Sequence, residues 1–360
     1  MDSRTKDALT SWQEIRFFES HPVLEQFAAD RLGFKLPRHQ SDEILACFQL
    51  ARDYYDISRE ASITVKPLPL FYGMSNLVKA LVLLCGGKER NSLARLARGH
   101  GLKLQGDGKN LEGMACQIGA SGTFCEFLDT FRCDIPFHFP QVFDARLRSA
   151  GAADLHKNIF RLRDLLGWFP ALRALYQQTF DEAQPIVRVM ISRSPMGGHH
   201  TLRFPDGLVE KELHKEFPAG SSFEAEQHFV RKANVTTRIV TSTLPNRWRD
   251  WIEMADGGRT WPFEIDVLVE RECATTRHMA TWMAEYAATF VCSGVVRYHP
   301  ELWIGMIGRK RDSKVLALVE AFVAFAEADF PRRVLEMLKR GTLVKGYLTT
   351  LDELLVGSLG

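Results

Sequence analysis

With 360 residues, the chain is too long for one small core and too short for three domains, so we expect one large unit or two closely packed units. Hydrophobic residues make up 46% of the chain and charged residues 25%, a globular composition that excludes extensive disorder. The formal net charge of +2 excludes the strong basic excess of a dedicated nucleic-acid-binding protein and leaves only local basic patches for that role.

The cysteines argue against both a disulfide framework and a metal site. There are seven, an odd number, and no two of them have the CxxC spacing of a zinc ribbon. Cys125, Cys133 and His138 are too widely and irregularly spaced for a zinc knuckle. We therefore expect a reduced cytosolic protein with buried thiols, no metal and no cofactor.

The sequence also carries no export or membrane signal that we recognise. The first 14 residues are charged and lack the apolar stretch of a secretory signal. The most apolar windows, Leu77–Cys85 and Val315–Ala326, are shorter than the roughly 20 residues that span a bilayer. These features predict a cytoplasmic protein that does not contact the membrane.

Apolar residues at helical spacing predict a mainly helical N-terminal half. The first clear helix is expected over Ser41–Glu60, with Ser41 as its N-cap, and the second from Pro67 to a stop at Gly86 and Gly87. We expect these two helices to pack as an antiparallel pair. The next predicted elements are a short helix at Asn91–Arg98, a hairpin between Leu102 and Ile118, and a helical region over Asp154–Phe180 in which Pro170 starts a second short helix.

The pattern changes to β-branched and apolar runs, bounded by turn residues, near Pro185. Strands are predicted at Ile186–Ile191, His200–Phe204, Val235–Val240 and Phe263–Val269. We interpret residues 185–270 as a β-rich insert between helical parts spanning residues 1–184 and 271–360, the second packing on the first.

Helical spacing returns after the insert. Helices are predicted at Thr275–Val295, Asp312–Glu327 and Phe330–Leu338, where Asp329 would cap the last helix and Pro331 would lie in its first turn. The expected fold class is therefore α+β, mainly α.

Several short strings occur in a fixed order along almost the whole chain. They are Phe18–Val23 (FESHPV), Tyr54–Tyr55, Leu70–Met74 (LFYGM), Leu77–Ala80 (LVKA), Gly99–Leu102 (GHGL), Arg297–Trp303 (RYHPELW) and Phe330–Pro331. In this order they resemble the YaaC-like protein family. The family has no established biochemical activity, so the resemblance implies a layout and not a mechanism.

A smaller part of the chain resembles HEPN domains, which are helical modules of nucleases and nucleotide-handling proteins. The resemblance lies in Leu70–Leu84 followed by His100 and Gly101, and it implies a HEPN-like helical core over about residues 41–130. In nuclease-type HEPN domains an R-x4-H motif cleaves RNA without metal. Here Arg95 and His100 match it, with His100 as acid and base and Arg95 offsetting phosphate charge.

The residues themselves leave another interpretation of this pair open. A spacing of five places two side chains about 140° apart on a straight helix. Leu96 stands where that motif usually has a polar residue, and Gly99 and Gly101 predict a turn at His100. In that interpretation His100 and Arg98 hold a loop by hydrogen bonds.

Other candidate binding residues each have a structural alternative. Ser192–His200, which includes Arg193, carries glycines, hydroxyls and cations suited to a phosphate, although a β-turn explains it equally well. Tyr72 and Arg297 are binding candidates from the family strings, or else a core tyrosine and a C-terminal helix charge. The basic runs Arg146–Arg163 and Arg309–Arg311 suit RNA, an acidic partner or a solvated surface.

From the sequence we expect a cytoplasmic regulatory or interaction protein that binds a nucleotide or RNA, forms a homodimer and has a protein partner. The alternative hypothesis is a metal-independent HEPN-type endoribonuclease of a toxin or antiphage defence system. A third is a structural subunit of a larger assembly.

Overall fold

The computed structural model describes residues 11–86, 92–131, 156–184, 281–308 and 313–339, together with five strands between residues 186 and 268 for which only the backbone is described. Long helices dominate these residues, with two antiparallel sheets beside them. The fold class is therefore α+β, mainly α, as the sequence predicts.

The α-helices of the described residues are numbered here in chain order. They are α1 (His21–Phe27), α2 (Arg38–Glu60), α3 (Pro67–Cys85), α4 (Leu93–Leu96), α5 (Thr123–Phe131), α6 (Leu162–Leu166), α7 (Arg173–Phe180), α8 (Thr281–Tyr298), α9 (Pro300–Ile307) and α10 (Ser313–Lys339).

The strands form two sheets. The first has the order β1-β2-β3 and consists of β1 (Leu102–Gln105), β2 (Ala115–Ile118) and β3 (Ile159–Arg161). The second has the order β6-β7-β5-β4-β8 and consists of β4 (Ile186–Arg193), β5 (His200–Phe204), β6 (Glu224–Gln227), β7 (Arg238–Ser242) and β8 (Phe263–Leu268). All pairs of strands among the described residues are antiparallel.

Helices α2 and α3 form the predicted antiparallel pair. Gln40 at the start of α2 donates from Nε2 to the carbonyl of Leu83 at the end of α3, at 2.8 Å. At the other end Gly73 of α3 lies against the buried ring of Tyr55 on α2. Because Gly73 has no Cβ, the two helices approach closely there.

The start of α2 differs from the prediction. The helix begins at Arg38 after Pro37, and Ser41 lies within its first turns instead of capping it. Ser41 is fully buried, and its Oγ lies 2.8 Å from Nδ1 of His21 at the start of α1. The hydroxyl therefore joins α1 to α2, a use that a local capping pattern does not show.

Helix α8 is the central element of the helical part. Its residues from Thr281 to Val295 are all buried, as in a helix covered on every side. It contacts α3, α6, α9, α10 and the β1-β2 hairpin. Trp282 packs on Phe127 with ring centroids 4.5 Å apart, and Gly294 admits the side chain of Leu104 from β1.

The region predicted as helical over Asp154–Phe180 is more varied. Strand β3 adds to the predicted hairpin, whereas α6 and α7 are two helices as expected, with a 3-10 turn at Pro170–Leu172 leading into the second. Of the three β3 residues only Phe160 is buried. One buried residue between two exposed ones is too short a pattern to distinguish a strand from the start of a helix.

The two helices predicted near the C-terminus are one helix, α10, with Pro331 inside it. Asp329 does not act as an N-cap. Its carboxylate binds the guanidinium groups of Arg332 and Arg333, which follow Pro331 on the same helix. These ion pairs connect the turns on both sides of the proline, where a backbone hydrogen bond is lost.

The second sheet matches three predicted strands closely, and the predicted strand at Val235–Val240 is shifted to β7. Strand β6 was not predicted because its sequence, EAEQ, has none of the β-branched or aromatic residues typical of strands. It lies at the edge of the sheet, where polar residues are common. The division of the chain at residues 185 and 270 stays a prediction.

One described helix, α3, is long and apolar enough to cross a membrane by composition alone. However, 78% of its apolar window is buried against other parts of the protein, so this is weak evidence for a span.

A buried charge cluster joins α8 to α10. Glu285 is fully buried, and its Oε2 lies 3.7 Å from Nε of Arg333. Burial and the nearby charge of Asp329 raise the pKa of Glu285 well above its ordinary value of 4.5. Burial alone would raise the pKa of Asp329 too, but the attraction of Arg333 and Arg332 outweighs it, so that pKa is lowered.

The raised pKa of Glu285 generates a prediction about stability and pH. Its contribution is complete below the unfolded pKa near 4.5 and is lost as pH rises through the folded pKa. Glu285→Gln should therefore gain stability relative to the wild type as pH increases from about 5 to 8. Denaturant midpoints at both pH values measure this, with exposed Glu60→Gln as control. If the midpoint of Glu285→Gln differs from that of the wild type by the same amount at both pH values, the pKa of Glu285 is not raised in the folded protein.

The close contact at Gly73 generates a second prediction. A Cβ there would lie 2.5 Å from Cδ2 of Tyr55, whose ring is fully enclosed. Gly73→Ala should cost about 1–3 kcal/mol by overpacking. The matched control is Gly305→Ala in α9, where no atom lies within 4 Å of the added Cβ, and which should gain about 0.5–1 kcal/mol. In thermal unfolding, the melting temperature should fall for Gly73→Ala and rise for Gly305→Ala relative to the wild type.

Candidate functional site

One face of α3 carries three polar side chains. Tyr72, Asn76 and Lys79 follow one another at spacings of four and three residues, which places them on the same side of the helix. Asn76 donates from Nδ2 to the carbonyl of Tyr72 at 2.9 Å. The side chains of Tyr72 and Lys79 are half-buried at the edge of the core.

Arg297, in the last turn of α8, reaches this face. Its Nη1 donates to the hydroxyl of Tyr72 at 3.0 Å across a separation of 225 residues. Its Cζ lies 5.9 Å from the ring centroid of Tyr72 and 5.0 Å from that of Tyr298, which places the guanidinium within cation–π distance of two rings.

His100 is held beside these residues by a turn. The backbone N–H groups of Thr123 and Phe124, at the start of α5, donate to the carbonyls of Gly99 and His100 at 2.9 Å. Gly101 has φ +75°, and a Cβ there would lie 3.0–3.2 Å from atoms of Phe124 and Cys125. The turn predicted at His100 is therefore present, and it requires glycine at position 101.

The ring of His100 is partly enclosed by aromatic residues. Its centroid lies 5.1 Å from that of Phe71, 6.0 Å from Phe290 and 6.5 Å from Tyr72. Burial, followed by the charges of Arg297 and Lys79, lowers the pKa of His100 below its ordinary value of 6.5. The imidazole is therefore mainly neutral at pH 7.

We call Arg297, Lys79, His100 and Tyr72 the cationic site. Within the described part of the chain, no carboxylate pairs with Arg297 or Lys79. Other partly buried cations do have such a partner: Lys66 Nζ lies 2.9 Å from Oε2 of Glu327. Two cations that both act on His100, and that have no carboxylate ion-pair partner among the described residues, make the surroundings of the imidazole electropositive and suited to an anion.

The two residues of the predicted R-x4-H motif, Arg95 and His100, have different partners in the structure. Arg95 on α4 is half-exposed, and its Nη2 lies 2.5 Å from Oε1 of Glu126 on α5. The cations that act on His100 are Arg297 and Lys79. Arg98 is exposed in the turn that follows α4. A catalytic role for Arg95 with His100 stays a prediction.

The remaining candidates are only partly described. Arg193 ends β4, with its backbone opposite His200, and its side chain lies outside the description. Residues 194–199, 309–311, Arg146, Arg148, Cys133 and His138 are also outside it.

Several other candidates have structural partners. Arg163 forms an ion pair with Glu182 at 2.6 Å. Burial raises the pKa of the Cys125 thiol to about 11, which makes it an unreactive core thiol. No cluster of His, Cys, Asp or Glu among the described residues has the geometry to hold a metal ion.

The fold also brings together a serine, a histidine and an aspartate that the sequence did not indicate. His21 lies 2.8 Å through Nδ1 from Ser41 Oγ and 3.2 Å through Nε2 from Asp42 Oδ1. Because Ser41 is fully buried, its hydroxyl is enclosed and not placed to attack a substrate. We interpret the three residues as a link between α1 and α2.

Sequence reasoning missed Lys79, Tyr54 and Tyr298 as members or neighbours of the site. Tyr54 stacks on Tyr72 with centroids 5.4 Å apart and an interplanar angle of 29°. The spacing of Lys79 from Tyr72 was an available signal, because it puts both on one face of α3. The positions of Tyr54 and Tyr298 depend on contacts between helices.

The HEPN-like interpretation of residues 41–130 is not borne out. Within this segment Leu70–Leu84 is part of a buried core helix, and the GHG string forms a turn that leads into the β1-β2 hairpin. The two strings are thus explained by packing and turn geometry.

Comparison with known proteins supports one family. No curated protein and no solved structure matches the chain significantly. The family model described as YaaC-like Protein matches residues 16–338, which include the cationic site and all the described helices up to α10. By this match, the chain belongs to the YaaC-like protein family.

Proposed function

We propose that this YaaC-like protein is a regulatory or interaction protein that binds a phosphate-bearing ligand, a nucleotide or RNA, at the cationic site. The observation that carries the proposal is the pair of half-buried cations, Arg297 and Lys79, that lack a carboxylate partner within the described residues. The expected cytoplasmic location, homodimer and protein partner stay predictions.

The chemistry of Arg297 supports an anionic ligand. A guanidinium presents five N–H donors in a planar fork that matches the oxygens of a phosphate. Only one hydrogen bond from this group, to the neutral hydroxyl of Tyr72, is present among the described residues. Tyr72 thus positions the guanidinium without neutralising it, and the charge is available for a ligand.

The surroundings of the site strengthen this interaction. Phe71 is fully buried, and Phe290 is almost completely buried beside His100. Charged hydrogen bonds are stronger where such apolar groups lower the local dielectric constant. A small anion bound here would therefore gain more than one bound to fully exposed lysines.

Ligand-induced thermal stabilisation tests the proposal. Nucleotides and inorganic phosphate at millimolar concentration should raise the melting temperature. A ligand at 100 times its Kd adds about 2.7 kcal/mol to the free energy of unfolding. Arg297→Ala and Lys79→Ala should each weaken binding about 10-fold or more, because each removes a charged contact worth about 1.5–3 kcal/mol. Tyr72→Phe should weaken it less, since only the positioning hydroxyl is lost.

The matched control is Arg38→Ala, which removes an exposed cation that already has Glu25 and Asp42 as neighbours. It should leave ligand stabilisation unchanged. The proposal fails if no phosphate compound shifts the melting temperature, or if Arg38→Ala weakens binding as much as Arg297→Ala.

We keep the metal-independent ribonuclease as a second candidate because one observation favours it. His100 has a lowered pKa, and neither ring nitrogen is hydrogen-bonded to another described residue, so the neutral ring can accept a proton. In this hypothesis Arg95 offsets phosphate charge, as in the sequence motif, although its guanidinium is paired with Glu126.

The ribonuclease hypothesis has a direct test. Purified protein should cut RNA in EDTA, and His100→Gln should abolish cleavage while the melting temperature stays within a few degrees of the wild type. RNA that remains intact with the wild-type protein would remove the hypothesis, including its role in a toxin or antiphage system.

A further inference from the structure

We infer that the ligand of the cationic site is a nucleoside monophosphate whose base stacks on Tyr298. The inference rests on the proposed anion binding and adds to it the size and the aromatic part of the ligand. It is carried by an exposed ring within cation–π distance of a guanidinium that has no carboxylate partner among the described residues.

The charge of the site matches a single phosphate group. Arg297 and Lys79 provide two formal positive charges, and a phosphate monoester carries about −1.5 to −2 charges at pH 7. Single-stranded RNA needs cations that follow successive phosphates along a groove. Arg297 and Lys79 are the described cations that act on His100, so the site is suited to one phosphate.

The aromatic residues supply a surface for a base. Tyr298 is 64% exposed, although its ring centroid lies only 5.0 Å from Cζ of Arg297. An exposed tyrosine ring beside a cation is a platform on which a flat heterocycle stacks while the attached phosphate meets the cation. Tyr72, the other ring within cation–π distance of the guanidinium, is itself stacked on Tyr54, which supports its position.

The guanidinium itself is not fully satisfied. Its Nε is enclosed and has no hydrogen-bond acceptor among the described residues, while Nη1 is bound to Tyr72. Its orientation is therefore set by two rings and one hydroxyl, which hold it between the core and Tyr298. This arrangement positions the cation next to the exposed ring before any ligand binds.

Calorimetric titration of the full chain tests the inference with defined probes: the four ribonucleoside monophosphates, ribose 5-phosphate, inorganic phosphate and a uridine decanucleotide. The monophosphates should bind about 10-fold more tightly than ribose 5-phosphate, because base stacking adds to the phosphate contact. Tyr298→Ala should remove this advantage and weaken ribose 5-phosphate binding less, because the guanidinium keeps its contacts with Tyr72, and Tyr298→Phe should keep the advantage. Arg297→Ala should weaken both.

The control is Phe17→Ala, which truncates another exposed aromatic ring, 68% accessible, and should leave all affinities unchanged. If Tyr298→Ala leaves the advantage of the monophosphates intact, or if ribose 5-phosphate binds equally well, base stacking is wrong while the anion site stands. Tighter binding of the decanucleotide with a steep salt dependence would make RNA the ligand and overturn the inference. Absence of binding by every phosphate compound would instead refute the proposed function.

Discussion

The packing of α8 on α3 is the constraint on which the rest of the structure depends. Both helices are buried along most of their length, and the ring of Phe71 on α3 contacts both Tyr286 and Phe290 on α8. This contact sets the relative position of two segments more than 200 residues apart in the chain. Because α8 continues for about two more turns and ends at Tyr298, Arg297 in its last turn lies beside Tyr72 at the edge of the core.

Helix α8 has opposite electrostatic environments at its two ends. Glu285, near the start of α8, lies in a buried cluster where Arg333 compensates Asp329, and burial raises the pKa of the Glu285 carboxyl. Arg297, at the other end, has no such carboxylate among the described residues. This contrast between the two ends of α8 is the basis for proposing Arg297 as part of an anion site.

The backbone turn around His100 positions the imidazole of the site. The turn around His100 requires a glycine at position 101, and the N-terminal end of α5 binds its carbonyls. This turn places the imidazole against Phe71 and within the field of Arg297 and Lys79. The site is thus built on the core helices and one tight turn, so its geometry is set largely before a ligand arrives.

The sequence by itself determined the fold class, most of the helices and the family, because these depend on local periodicity, on turn residues and on short ordered strings. It also indicated Tyr72, Arg297 and His100 one at a time. It misassigned Pro331 as a helix boundary and Ser41 as a cap, since the ion pairs of Asp329 and the contact with His21 arise only from side chains that fold back or across helices.

Only the tertiary structure decided that Arg297, and not Arg95, is the guanidinium next to Tyr72, and that Lys79 belongs to the same site. The physical reason is that the electrostatic environment of a side chain depends on its neighbours in space. Sequence spacing determines these neighbours within one helix, as for Tyr72 and Lys79, but not between helices whose separation along the chain is large.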